Sequence, residues 1–194
     1  MTTYSHDAPS SLLEPELEST VPPMFGATAP DYRGLDTDDD EPLRPLNWNL
    51  LTADEAESEW LDLNAWVHWL RATYGLPPTV IPPFWHRHDE LVWELSALHL
   101  HWLNSYDSEG SPSGPIAWHR DFADARNRLR EWVSTSGTRL DRDRPTRQTA
   151  WPGEEPTQPS PEVVVEDREA DFVQFVLEDA AVRRRIEERV RAAS

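Results

Sequence analysis

Six of the seven histidines fall between His68 and His119. Histidine is the side chain best suited to ligate a transition metal or to move a proton near neutral pH. The spacing argues against a shared ion. His86-Arg87-His88 and His99-Leu100-His101 are both i,i+2 pairs, which on a helix point about 200° apart. His88 and His99 share a face but lie three turns, roughly 16 Å, apart. No His-Glu-x-x-His and no i,i+4 histidine pair occurs, and His86 and Glu90, four apart, straddle the point where a helix can begin. No metal is expected. His99 is expected to be hydrogen-bonded in the core and His101 to face solvent. His119-Arg120-Asp121 copies three letters of the kinase catalytic loop without the rest of that signature. Phosphate-cradling glycine loops and a Gly-x-Ser-x-Gly elbow are missing, and paired carboxylates such as Asp38 and Asp39 sit in an acidic run with no pocket to tune them. No catalytic residue and no cofactor follow. An active site, if there were one, would lie near Trp85, His88, His99 and His119.

Arginine supplies the other possible chemistry. From Arg120 to Arg147 eight arginines stand against five acids. Arg120, Arg126, Arg130, Arg142 and Arg144 could contact phosphates, the main source of non-specific nucleic-acid affinity. The plainer alternative is a solvated face that pairs with acids elsewhere, since the chain carries a net charge of −18. Residues 1–60 hold 14 acids against Arg33 and Arg44, whereas residues 61–150 are almost neutral. The acid is concentrated in an arm, which leaves little rigid surface for mimicry of DNA. All 18 basic residues are arginine, a bias that a GC-rich coding genome explains.

The elements that must position these groups are marked by tryptophan. All ten tryptophans lie between Trp48 and Trp151, and buried indole dominates core energetics. The domain is therefore expected over 46–152. Residues 1–45 combine scattered proline with Asp36-Thr37-Asp38-Asp39-Asp40-Glu41 and bury too little apolar surface to offset ordering entropy. They read as a disordered acidic arm. Thr52 and Glu55 form a capping box. Ala56, Trp60, Leu63, Val67, Leu70 and Tyr74 then recur as one helical face that Gly75 closes. The prolines of 77–85 predict an extended strap across the outside of the helices, with Phe84 and Trp85 packed inward. A second helix is expected from His88 to Tyr106, and a third from Pro115 to about Gly137 with Trp118, Phe122, Ala125, Leu129 and Trp132 inward. Trp48 and Trp151 would pack on this bundle from either side.

After a proline-rich linker over 153–161, residues 162–194 are helix-compatible. Phe172, Phe175, Val176, Ile186 and Val190 form one stripe, which Asp179 and Arg183 interrupt at pairing distance. Such a stripe suits a partner-bound helix better than a core. Trp66, Trp69 and Trp93 lie off the main stripes and are the other candidate contact residues. The expected fold is all-α: a small three-helix tryptophan-rich bundle with a disordered acidic arm and a tethered C-terminal helix.

Pro82-Pro83-Phe84-Trp85-x-x-His88-x-x-Leu91-x-x-Glu94-Leu95-x-Ala97-Leu98, then Gly114-Pro115-x-x-Trp118-His119 and Arg128-Leu129-x-x-Trp132, resembles an uncharacterised tryptophan-rich actinobacterial family found beside plasmid and integrative-element genes. The resemblance spans roughly Trp48 to Trp151. It implies a mobile-element accessory and carries over no activity or site residue. No membrane span or signal peptide is apparent, and with no cysteine the default expectation is a cytoplasmic protein. The function expected is a non-enzymatic module that binds a partner protein through the C-terminal helix and an exposed aromatic face. A nucleic-acid-binding accessory is the alternative. On this view truncation after Pro161 leaves the domain folded and abolishes capture.

Overall fold

The computed structural model describes residues 44–155 and 160–193. The acidic arm thus lies outside the described residues, apart from Arg44 and Pro45. The described chain is helical, with four α-helices, one 3-10 turn and a two-residue ladder. No helix among the described residues is long and apolar enough to cross a membrane.

Helix α1 runs from Ala53 to Tyr74. The Thr52 hydroxyl accepts from the Glu55 amide at 3.3 Å, and the Glu55 carboxylate accepts from the Thr52 amide at 2.8 Å. Gly75 ends the helix in the left-handed region, at φ 58°, where a Cβ would be strained. The expected stripe is buried as far as Leu70, and Trp66 joins it. The Trp66 ring stacks on His99 with centroids 4.9 Å apart.

The segment after α1 is not the outer strap that its prolines suggested. Residues 77–84 form successive turns, in which the Val80 amide donates to the Pro77 carbonyl at 2.8 Å. Val80, Ile81, Phe84 and Trp85 are buried. Proline restricts φ but does not forbid turns, and the apolar side chains between the prolines pull the segment inward. A single 3-10 turn over Trp85–Arg87 leads into helix α2, Asp89–Ser105.

Helix α3, Gly114–Thr135, lies antiparallel to α2. Arg128 clamps Glu94 at 2.6 Å, and His101 reaches Asp121 at 3.2 Å. Gly114 allows the close approach at the α2–α3 turn, because a Cβ there would stand 2.6 Å from the Ser105 carbonyl oxygen. Trp118, Phe122, Ala125 and Leu129 are inward as expected, but Trp132 is 42% exposed. Trp48 packs on Trp60 and donates to Ser96 at 2.9 Å. Trp151, by contrast, is 75% exposed.

The remaining elements close the fold. Strand β1, Arg142–Asp143, pairs antiparallel with β2, Val163–Val164. Helix α4, Arg168–Ala193, then docks along α1. Its first turn is capped by Asp167, whose carboxylate accepts from the Glu169 and Ala170 amides. The tethered-helix expectation is corrected here: Phe172, Val176 and Ala180 belong to the same core as Trp60 and Trp85.

Candidate functional site

The two histidines of His86-Arg87-His88 point to opposite sides, and each reaches a carboxylate brought from far along the chain. The buried His86 ring meets Asp171 of α4, Nε2 to Oδ2, at 2.9 Å. The Arg87 guanidinium donates to both oxygens of the same carboxylate, sharing Oδ2 with His86. Burial pushes the His86 pKa down to about 4, against the opposing pull of Asp171. Burial would raise the Asp171 carboxyl, but the bonds from Arg87 and His86 outweigh it and hold it below the usual range. The 3-10 turn is thereby stapled to the first turns of α4.

His88 makes the second staple. Its Nε2 lies 2.8 Å from Oδ1 of the buried Asp143, and its Nδ1 lies 3.0 Å from the Thr146 hydroxyl. A hydroxyl, a histidine and a carboxylate in line resemble a nucleophile, its base and an orienting acid. The protons are wired the wrong way for that chemistry. The Thr146 hydroxyl donates its one proton to Glu90 at 2.5 Å, so that proton is directed away from the His88 ring. The network fixes residues 143–146 against α2. Sequence reasoning missed Asp143, Thr146 and Glu90 as partners. The i,i+2 histidines were the available signal, but nothing local showed which acids they would meet.

No family model matches this chain, and neither a curated protein nor a solved structure does. The candidate site therefore rests on geometry alone. Among the described residues no group of three or more histidine and carboxylate side chains is placed to hold a metal ion. His99 is buried against Trp66, its pKa pushed down to about 4 by burial. His101 is paired with Asp121, and His119 accepts or donates at 3.0 Å to the Tyr74 hydroxyl.

The residues expected to meet a partner separate into two sets. Phe172 and Val176 are buried, Phe175 is half-buried edge-on to Trp60, and Trp66 is fully covered. The α4 side chains are covered by this chain's own α1 and 3-10 turn, and Trp66 by His99 of α2, which corrects their assignment as contact residues. Trp69 is half-buried against Trp102. Trp93, Ile186 and Val190 remain exposed. The Asp179–Arg183 pair explains the mistake. Asp179 accepts from the Trp60 indole at 3.1 Å, and Arg183 donates to the carbonyls of Trp48 and Leu51 as well as to Asp179. An ion pair whose remaining valences are met this way sets register within a core.

The candidate phosphate-binding arginines are largely engaged. Arg120 pairs with Asp121, and Arg142 with Asp141 and Glu162. Arg130 donates to Asn127 and to the Arg126 carbonyl, while the Arg126 guanidinium lies 5.9 Å from the Phe122 ring centroid. The Arg144 stem packs over Gly137.

Two surfaces have the makings of a site. One is a cleft of about 280 Å³ at the root of α4, lined by Val67, Leu76, Ile81, Pro82 and Trp85 with His68, Arg71, Arg168 and Glu169 beside them. The other is the far end of α4. Helix α4 runs antiparallel to α1: Asp179 meets Trp60, Arg184 meets Asp54 and Glu57, and Glu187 accepts from the Ala53 amide at 2.7 Å. Six residues of α4 follow Glu187, roughly 9 Å of helix. Val190 on that stretch is 61% exposed, and Ile186, just before Glu187, is 53% exposed.

Proposed function

We propose that this protein is a non-enzymatic interaction module that binds a partner protein through the last turns of α4, with the exposed indoles of Trp93 and Trp132 as a second patch. The observation that carries the proposal is the overrun of α4. The stripe that buries Phe172 and Val176 against the body continues through Ile186, beside the start of α1, to Val190, beyond it, and both are exposed. Val182, one turn before Ile186, is exposed as well and widens the apolar row. A helix presenting apolar side chains at i, i+4 and i+8 is suited to lie against another helix or in a groove.

The flanking charges state what that partner should look like. Arg183, Arg184 and Glu187 are engaged by α1 and its approach, which leaves Arg185, Arg189 and Arg191 against Glu188 around the exposed end. An apolar surface rimmed by carboxylates would complement them. In this reading α1 to α3 form the bundle, α4 is a fourth member rather than a free tether, and an accessory role in an actinobacterial mobile element is what the motif resemblance implies.

Truncation after Pro161 cannot test the proposal, since it would strip Phe172 from Trp60 and Trp85. Ile186→Glu with Val190→Glu can, because both sites are exposed. The double variant should keep the wild-type thermal midpoint and lose the partner captured by immobilised wild-type protein from the native host. Capture of the same partner in equal yield by both proteins would end the proposal.

A further inference from the structure

We propose that the cleft at the root of α4 is a binding site for a small organic acid, a single carboxylate on an apolar body. The site lies away from the exposed end of α4, and its ligand does not depend on the interaction proposed above. Its volume, about 280 Å³, is at the lower end for small-molecule sites. The walls come from three places: Val67 on α1, the turn segment with Leu76, Pro78, Ile81 and Pro82, and the Trp85 indole. The prolines and the stapled 3-10 turn make these walls rigid before any ligand arrives, which lowers the ordering cost of binding.

The polar groups are gathered on one side, and their charges do not cancel. Arg168 is occupied: it donates to the Pro83 carbonyl, to Asn64 and to Glu169. Glu169 also stands 3.6 Å from His68. Arg71 brings a second cation to the lining, and among the described residues its guanidinium has no hydrogen bond or ion pair with a protein group. The cleft therefore holds two arginines against one glutamate. His68 feels all three charges: burial lowers its pKa first, Arg168 and Arg71 lower it further, and Glu169 opposes them. One surplus guanidinium above an apolar floor fits a monoanion with an apolar tail. A polyphosphate would need more unengaged donors than the lining offers, and a cation would meet Arg71.

Octanoate is a direct probe, with 1-octanol as the neutral tail and inorganic phosphate as the anion without one. Calorimetric titration of the full chain should show saturable octanoate binding at one site. Arg71→Gln, at an exposed position, should leave the thermal midpoint unchanged. It should weaken octanoate about tenfold, the equivalent of one charge-assisted contact, and leave octanol unaffected. His68→Trp, which enlarges a side chain at the mouth, should abolish both. Ile186→Glu with Val190→Glu should bind octanoate as the wild type does, which separates this site from the end of α4. No saturable heat at millimolar octanoate overturns the proposal. So does equal affinity in Arg71→Gln, phosphate binding as tightly as octanoate, or unchanged binding in His68→Trp.

Discussion

Replacing Phe172 by alanine asks whether α4 is part of the core. The ring is 2% exposed and lies between Trp60 and Trp85, with His86 edge-on at 5.3 Å and the Arg168 guanidinium at 5.1 Å. Truncating a phenylalanine in such a setting costs about 3–5 kcal/mol in lost transfer energy and residual cavity. Because small domains are stable by only about 5–15 kcal/mol, that loss is a large share of the total. With a urea dependence on the order of 2 kcal/mol per molar, the midpoint falls by about 2 M. Val173→Ala is the control: Val173 is 54% exposed, and surface changes of this kind stay within about 0.5 kcal/mol. Urea unfolding should be followed both by tryptophan fluorescence, which reports on all ten indoles with Trp60 and Trp85 among them, and by far-ultraviolet circular dichroism. The two probes should give one coincident transition. A loss below about 1 kcal/mol for Phe172→Ala, or separate transitions with α4 melting first, would refute the docked helix.

Acid should weaken the fold. His86 and His99 have pKa values near 4 in the folded chain against an ordinary 6.5. Their stabilising effect is complete above pH 6.5 and is lost as the pH falls toward 4, because the unfolded chain takes up the protons first. Treated as independent, they remove about 5 kcal/mol between pH 7.5 and 4.5. Glu59 and Asp62, raised by burial, act in the opposite sense at the acidic end. A urea midpoint that does not move between these pH values would contradict the burial argument. Asp171→Ala leaves Arg87 and His86 facing a vacated acceptor, so it should cost about 2–3 kcal/mol and lower the His86 pKa further, read from its ring-proton shift in NMR. Gly114→Ala drives a methyl into the Ser105 carbonyl and should cost about 1–3 kcal/mol in thermal or urea unfolding.

Local chemistry was legible in the sequence. The Thr52–Glu55 box, the Gly75 cap and the inward face of α1 all follow from residues within one or two turns of each other. The opposed directions of His86 and His88 were equally readable from a spacing of two. What remained hidden depends on partners more than 50 residues away. Asp179 and Arg183 break an apolar stripe, and only the Trp60 indole and the carbonyls of Trp48 and Leu51 turn that break into a docking key. The proline-rich segment misled for a related reason. Phe84 and Trp85 are inward as expected, but proline reports only what the backbone cannot do, whereas the burial of Val80 and Ile81 is decided by the helices that cover them. At the cleft, Trp85 was noted, but nothing in a linear pattern sets Arg71 beside Arg168.

The antiparallel docking of α4 along α1 also fixes an order of events in folding. The polar contacts that dock α4 on α1 and its approach join residues 119 to 135 positions apart, so they come at the largest loop-closure cost in the fold. A nascent chain can form α1, α2 and α3 from shorter-range pairings while Trp60 and Trp85 still lack their lid. Until Phe172 is synthesised and α4 swings back, a sticky indole surface stays open to water and to neighbouring chains. The last helix thus acts as a late-arriving seal, and mutations that slow its return should appear first as lower soluble yield rather than as altered native structure.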